Sequence, residues 1–502
     1  MIKTILKWAE QDPSKVILYD SQRTWTWQEL LDRGCQYHDA LQRECSLGRK
    51  PIAVPIIISR TGETIAAMLG ALISGMAFAP LSAAQPIQRL QHCFSALEAD
   101  FVLSAQDSSS EDISPVIKQI RTPKDAPVRL PSLSALPDVP EDQVLYVLFT
   151  SGSTGAPKGV LVTRKNLLNT IDWSREIIDW REGDVMGCAT NFYFDLSMFD
   201  TFTCFLHNVP LAIYSNPSEA ISVLEETNRF KVTSIFSVPV FFSQFIKFDL
   251  TKEARVASLR RIIAGGDFFS PAHMLTWYRS LPKVAIYNIW GPTETTIVNT
   301  MHRVNDSDVP RLESGTYPPV GRRHPMMPFI LLDENGKLIE KPHTHGEIYM
   351  LEDCVTKGYL GDPELTQKYY GEMNGSRSFR TQDMGYIDED GNLFILGRIG
   401  NTVKISGYRI HLGEIESAAT QFPQVHLACA CVMQRAEGVK ELWLAVEPVD
   451  QNKEIDIFSL KQFLRKHLPM YMVPKRIVVF NPLPKNPNGK IDRRDILERM
   501  PA

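Results

Sequence analysis

The sequence predicts an α/β protein: a large N-terminal domain of parallel β-sheets flanked by helices, a β-rich subdomain within it, and a small α+β C-terminal domain. Three observations carry this. Short apolar runs alternate with helix-like segments through the first three hundred or so residues, the pattern of parallel sheets covered on both faces. From Phe329 to Leu396 the pattern becomes β-rich and alternating. After Gly400 it changes again, to a unit of about a hundred residues. The expected division is 1–399 and 400–502.

In chain order, Trp25 to Cys45 reads as an amphipathic helix, with Trp27, Leu30, Leu31 and Leu41 at helical spacing. Ile52 to Ile58 reads as a buried strand and Thr64 to Ser74 as a helix. Val144 to Phe149 is apolar and β-prone. Val185 to Cys188, Leu211 to Tyr214, Ser234 to Ser237, Arg261 to Ile263 and Val284 to Tyr287 are short apolar strands, each followed by a helix-like segment. Gln106 to Glu141, rich in Ser, Pro and Asp, and Val304 to Arg322 read as loops. There is no internal repeat. In open parallel sheets ligands bind beyond the carboxyl ends of the strands, so residues just after these runs are the first candidates for a site.

Composition narrows the function classes. The 502 residues are 44% hydrophobic and 22% charged, which gives ample core. The net charge of −4 offers no basic face for nucleic acid. Eight cysteines show no CxxC pair and no neighbouring histidine pattern, so neither a zinc site nor a disulfide framework is suggested. The first residues, MIKTILKWAEQDPSK, are too short and too acidic for a signal peptide. No apolar run approaches the roughly 18–20 residues of a membrane span. A reducing cytoplasm is the expected location.

The most informative string is LFTSGSTGAPKGV, Leu148 to Val160. Gly152, Gly155 and Gly159 let backbone N–H groups approach oxygens closely. Thr150, Ser151, Ser153 and Thr154 add hydroxyl donors, and Lys158 adds a positive point charge. The string suits polyphosphate. It is not a GxxxxGK[ST] loop, because no lysine directly follows a glycine at that spacing. A solvated Ser/Gly linker is the alternative, disfavoured by an apolar strand before it and a helical run after it.

Five further strings accompany it: NFYFDLSMFD (Asn191 to Asp200), IIAGGD (Ile262 to Asp267), NIWGPTETT (Asn288 to Thr296), a long one from Phe379 to Glu416, and NPNGKIDR (Asn486 to Arg493). In this order and spacing they resemble the adenylate-forming superfamily. Within it the chain is most similar to freestanding amino-acid adenylation enzymes of the nonribosomal peptide synthetase type. The resemblance covers essentially the whole chain. It implies a two-step reaction using ATP and Mg²⁺. A carboxylate attacks the α-phosphate to give an acyl-adenylate and pyrophosphate, and a phosphopantetheine thiol then displaces AMP. Both steps build charge on oxygens, so positioned cations and donors are the expected catalytic devices.

The roles below are those the resemblance implies. Glu294 holds Mg²⁺ and Thr293 touches the α-phosphate. Trp290, where the family usually has Tyr, stacks on adenine. Asn288, Gly265, Gly266, Asp267 and Gly291 line the nucleotide site, Asp267 standing where Glu is more usual. Asp383 receives both ribose hydroxyls, and Arg398 is a second ribose and phosphate contact. Gln382 replaces a common Gly, which leaves the loop shape open. Lys490 bridges the substrate carboxylate and α-phosphate, and Lys158 serves the departing phosphates. Gly407 lets pantetheine pass. Gly400 marks the hinge about which a mobile C-terminal domain turns, so that Gly400→Pro would block thioester formation and spare adenylation. Structural roles stay open beside these: a helix cap for Thr293 or Asp195, a core position for Trp290, a turn for Asp383, a solvated surface for Lys490.

Asp195 matches the aspartate that pairs with the α-ammonium of an amino acid. The other wall positions carried over are Leu196, Phe199, Ser237, Ile263, Gly265, Ile289, Ile297 and Val298. This lining is apolar with one hydroxyl, so charged side chains are excluded by desolvation. Gly265 and Ser237 are expected to leave some depth. Asp-Leu opening an aliphatic pocket resembles freestanding prolyl-activating enzymes, which makes proline the best fit; alanine, including its D form, and valine remain open. The D-alanine ligases of teichoic-acid carriers are the nearest rival inside the family. An acyl- or aryl-coenzyme A synthetase shares the fold but lacks the acid at 195. The chain ends about ten residues after Lys490, so the expected acceptor is a separate phosphopantetheinylated carrier protein.

Overall fold

The computed structural model describes the chain except residues 86, 106–116, 123–135, 151–156, 249, 253–254, 399–401, 406–407, 435–439, 469–471 and 502. The strands β1 Val16–Tyr19, β2 Thr24–Thr26, β3 Val54–Ile57, β4 Phe78–Leu81, β5 Phe101–Ser104, β6 Lys118–Ile120, β7 Val144–Thr150, β8 Lys158–Thr163, β9 Met186–Cys188, β10 Leu211–Ile213, β11 Ser234–Ser237, β12 Arg261–Ala264, β13 Ala285–Trp290 and β14 Thr300–Arg303 form two sheets. One has the order β14-β13-β12-β11-β9-β10-β1-β2 and the other β6-β5-β3-β4-β7-β8. The first is parallel from β13 through β1, with antiparallel edges. Strands such as β3, β11 and β12 are buried at every residue, which is why they read as continuous apolar runs rather than alternations.

The helix Asp195–Leu206 lies between the sheets. Its residues Asp195 to Phe205 are all buried. Phe202 meets Phe78 of one sheet with centroids 6.2 Å apart, and Phe199 meets Phe236 of the other at 5.3 Å, edge to face. The helix is enclosed on every side, and truncating one such buried phenylalanine costs about 3–5 kcal/mol. That packing anchors the first turn, where Asp195 sits.

The expected helices at 25–45 and 64–74 are found at Trp27–Leu47 and Gly62–Ile73. The first starts two residues late because Thr26 and Glu29 form a capping box. Three expectations change. Lys158 does not lead into a helix: it opens β8, which runs antiparallel to β7 with Thr150 opposite Lys158. The stretch Val304 to Arg322 is not all loop; it contains the helix Val309–Glu313, started by Pro310 in its first turn, and the short strand β15 Gly321–Arg322. The β-rich segment, β16 Phe329–Leu332, β17 Gly346–Leu351, β18 Tyr370–Met373, β19 Ser376–Ile387 and β20 Asn392–Arg398, is interrupted by the helix Pro363–Tyr369, which Asp362 caps.

Beyond β20, β21 Thr402–Ile405 pairs with β22 Tyr408–His411, and β23 Val425–Gln434, β24 Lys440–Pro448 and β25 Arg476–Val479 form a three-stranded sheet. The helices Leu412–Thr420 and Ile457–His467 cover it, with Ile415, Leu444, Leu460 and Leu464 in a core of their own. This part meets the larger sheets through Ser417 Oγ, which donates to the Gly315 carbonyl at 2.8 Å, and Tyr193 Oη, which donates to the Pro487 carbonyl at 3.1 Å. Across the same boundary the rings of His273 and His426 lie 5.5 Å apart.

Candidate active site

The carboxyl ends of β12 and β13 open on a cavity of about 460 Å³. Its wall brings together Thr150, Lys158, Asp195, Leu196, Gly266, Asp267, Asn288, Ile289, Trp290, Gly291, Thr293, Glu294, Asp383 and Lys490. These residues come from six separate strings of the sequence and from both sides of the boundary just described.

Asp195 is the first residue of its helix and is 4% exposed. Phe194, not Asp195, occupies the cap position, so the carboxylate is not used up in capping. It lies at the positive end of the helix, which favours the anion. Burial pushes its carboxyl above the ordinary range, while the Thr293 hydroxyl and the Lys490 charge pull it down. Thr293 Oγ donates to Oδ2 at 2.6 Å. Oδ1 is buried and has no hydrogen-bond partner among the described residues. A carboxylate oxygen in that state calls for a cationic donor.

Thr293 opens a 3₁₀ turn, Thr293–Thr295, with Pro292 as its cap residue. Beyond it Thr296 and Ile297 both have positive φ, 67° and 74°. β-branched residues rarely hold that conformation, so the surrounding contacts must impose it. Thr296 Oγ donates to the Cys354 carbonyl at 2.8 Å and Thr170 Oγ donates to the Thr296 carbonyl at 3.1 Å. A Cβ at Gly291 would stand 2.6 Å from the Ile297 carbonyl, so only glycine allows the loop to fold back this tightly.

Tyr359 donates to Glu294 Oε1 at 2.8 Å, and Lys158 Nζ stands 5.2 Å from the centre of the Tyr359 ring. Burial and the Glu294 charge hold the phenol well above its usual range, so it stays a donor. No group of three or more His, Cys, Asp or Glu that could hold a metal occurs among the described residues. Mg²⁺ is commonly held by one or two carboxylates together with phosphate oxygens, and Glu294 on this wall fits that pattern.

Trp290 is half-buried, and its indole N–H donates to Asp383 Oδ2 at 3.0 Å. Asp383 lies inside β19, not in a turn, opposite Arg398 of β20. Gln382 before it has φ 60°, the left-handed region that favours glycine, which accounts for the glycine common at that place. Asn288 Nδ2 donates to the Pro319 carbonyl at 2.9 Å, so this side chain holds the loop over the cavity. Lys490 is half-buried, its Nζ 5.7 Å from the centre of the Phe194 ring, and it is not a free surface lysine.

The side-chain pocket differs from expectation. Only Asp195, Leu196 and Ile289 of the expected wall reach the cavity. Phe199, Ser237, Ile263, Ile297 and Val298 are buried behind it, each at most 2% exposed. Gly265 leaves no depth: a Cβ there would stand 2.3 Å from Ile289 Cγ1, because Ile289 already fills the space. Ser151, Gly152, Ser153, Thr154, Gly155, Gly400 and Gly407, and the side chain of Arg398, lie outside the described residues. Sequence reasoning missed Tyr359. It follows a glycine in TKGYLGD, which gives a weak turn signal, and only the fold brings it to Glu294, 65 positions away.

This fold and cavity define an adenylate-forming enzyme. The chain belongs to the AMP-binding enzyme family: the family model matches residues 5–360, and the AMP-binding enzyme C-terminal domain model matches residues 414–490. It is thereby an AMP-forming ligase. A D-alanine–D-alanyl carrier protein ligase of Bacillus licheniformis is 28% identical over 100% of this chain and 99% of its own. An L-proline–[L-prolyl-carrier protein] ligase of Streptomyces coelicolor is 31% identical over 87% of each. The solved o-succinylbenzoate coenzyme A synthetase of Bacillus subtilis, in complex with ATP and magnesium ion, matches 99% of both chains at a TM-score of 0.82 and 21% identity, a likeness of fold. No helix among the described residues is long and apolar enough to cross a membrane.

Proposed function

We propose that this enzyme activates a small apolar amino acid as its aminoacyl-adenylate and passes it to the phosphopantetheine thiol of a separate carrier protein. The observation that carries this is Asp195: a buried carboxylate with one oxygen unpartnered among the described residues, sharing a cavity with Lys490, Thr293 and Glu294. An α-ammonium supplies the missing cation at Oδ1 and turns the substrate carboxylate toward Lys490. Lys490 neutralises the carboxylate and α-phosphate oxygens as they approach, and Thr293 adds a donor there. Lys158, with Thr150 beside it, meets the departing phosphates. Trp290 and Asp383 take the adenine and ribose. Mg²⁺, held at Glu294, would offset the charge on the phosphate oxygens.

The C-terminal unit, taken as 400–502, is the part that turns between the two half-reactions, with Gly400 as hinge. Lys490 belongs to it and so serves the first half alone. Relatives that ligate D-alanine or L-proline to carrier proteins support the carrier as acceptor.

L-Proline is the first substrate reading, from the Asp195–Leu196 pair and the relative that ligates L-proline to its carrier protein. Alanine, L or D, is the second, and one observation favours it: Ile289 occupies the volume over Gly265 and shortens the pocket. Amino-acid-dependent ATP–pyrophosphate exchange across the twenty L-amino acids plus D-alanine, with aryl acids as controls, tests the proposal. A single strong response to proline or alanine is expected. Silence with every amino acid, or a response to an aryl acid, would overturn the role of Asp195.

A further inference from the structure

Trp290 and Asp383 are 93 positions apart and lie in different sheets, yet the indole N–H meets Asp383 Oδ2 at 3.0 Å on the cavity wall. An indole nitrogen donates and cannot accept, so the contact requires the carboxylate as acceptor and suits its ionised form. Both ends are fixed. Asn299 N–H donates to the Trp290 carbonyl at 2.9 Å, and Trp290 pairs with Thr300 at the edge of its sheet. Asp383 follows the left-handed Gln382, and its own N–H donates to Thr381 Oγ at 3.0 Å.

We infer that Trp290 is a positioning residue for the nucleotide sugar: its N–H sets the rotation of the Asp383 carboxylate and turns that group toward the ribose hydroxyls. The inference rests on the reading that Asp383 receives the ribose. A phenyl ring at 290 keeps an aromatic platform for the base but has no donor for Oδ2. The indole therefore does two separable things, packing against the base and aiming the acid that reads the sugar. Only the second depends on the nitrogen.

The test uses the full chain and pyrophosphate exchange with ATP, 2′-deoxy-ATP and 3′-deoxy-ATP. Trp290→Phe removes the donor. Benzothienylalanine at 290 has the shape of indole with sulfur in place of N–H, and serves where the phenyl ring packs poorly. Asp383→Asn reports on the ribose reading itself. A hydrogen bond to a charged group corresponds to roughly ten- to a hundred-fold in binding. In the Phe and benzothienyl variants the KM for ATP should rise by about that factor, the preference for ATP over its deoxy forms should fall alike, and the KM for the amino acid should not move. If Asp383→Asn erases the preference and the benzothienyl variant leaves it intact, the positioning role of Trp290 is wrong. If Asp383→Asn also leaves it intact, the ribose reading of Asp383 fails first and takes the inference with it.

Discussion

The Thr293 hydroxyl donates to Asp195 Oδ2 at 2.6 Å. The group proposed to meet the α-phosphate is thus hydrogen-bonded to the group proposed to meet the ammonium. One hydroxyl proton cannot serve Asp195 and a phosphate oxygen together. On the proposed reading, an ammonium at Asp195 would lessen the carboxylate's need for that donor and so tie amino-acid binding to readiness for ATP.

Asp195→Asn should therefore strike the amino acid hardest. Removing one member of a buried charge pair costs about 2–5 kcal/mol, so the amino-acid KM should rise by roughly 30- to 5000-fold with a smaller change in that for ATP. Because burial raises the Asp195 carboxyl, wild-type kcat/KM for the amino acid should begin to fall with decreasing pH above the ordinary carboxylate range. Exchange assays over pH 4 to 9 (about the range in which carboxylates and histidines titrate) check both. An unchanged amino-acid KM in the variant would remove the ammonium role.

Lys490→Ala should slow adenylation by about 10²–10³-fold, the usual effect of losing one preorganised donor to developing charge. Transfer from preformed aminoacyl-adenylate to carrier should stay near wild type. Single-turnover measurements of the two steps separate them; equal losses in both would argue against a role confined to the first.

Tyr359→Phe keeps the ring under Lys158 and deletes the hydroxyl that holds Glu294. The Mg²⁺ concentration for half-maximal exchange should rise by roughly 10- to 100-fold, the usual cost of losing a residue that orients a metal ligand. Magnesium titration of variant and parent reads this directly.

Ile289→Ala should lengthen the side-chain pocket, since Ile289 fills the space above Gly265. One added methylene in an apolar pocket changes preference by about 10- to 200-fold, so exchange should shift toward leucine or isoleucine. Gly265→Ala, whose Cβ would stand 2.3 Å from Ile289 Cγ1, should instead damage activity with every amino acid.

The rings of His273 and His426 lie 5.5 Å apart, tilted by 39°, across the boundary between the C-terminal unit and the large sheets. Burial lowers His273 to about 4, and burial, His273, Lys247 and Lys485 lower His426 to about 3. Ser243 Oγ lies 2.9 Å from His273 Nδ1. Both values lie below the ordinary 6.5, so the docked arrangement binds fewer protons than the undocked one. Its stability is whole above pH 6.5 and falls as the pH drops from there toward 4. Limited proteolysis at the boundary as a function of pH should show rising cleavage below about pH 6, and His426→Phe should flatten that dependence.

Much of this molecule could be read from one dimension. The buried parallel strands were legible because a strand covered on both faces is apolar at every position, and β11, β12 and β13 appear near their expected places. That Asp195, Glu294, Asp383 and Lys490 belong to one cavity was legible because each stands in a string that, in its order along the chain, resembles the adenylate-forming superfamily. The helix Val309–Glu313 was hidden because five residues carry too little periodicity to register against proline, serine and aspartate neighbours. What only the tertiary structure decided is contact between distant positions: Trp290 with Asp383, Tyr359 with Glu294, Thr293 with Asp195, and Ile289 in the space that Gly265 alone would leave open. The physical reason is packing. Residue types and local spacing state what a side chain can do, whereas the depth of a pocket and the partner of a donor depend on which atoms fill the neighbouring volume, and those come from elements far apart in the chain.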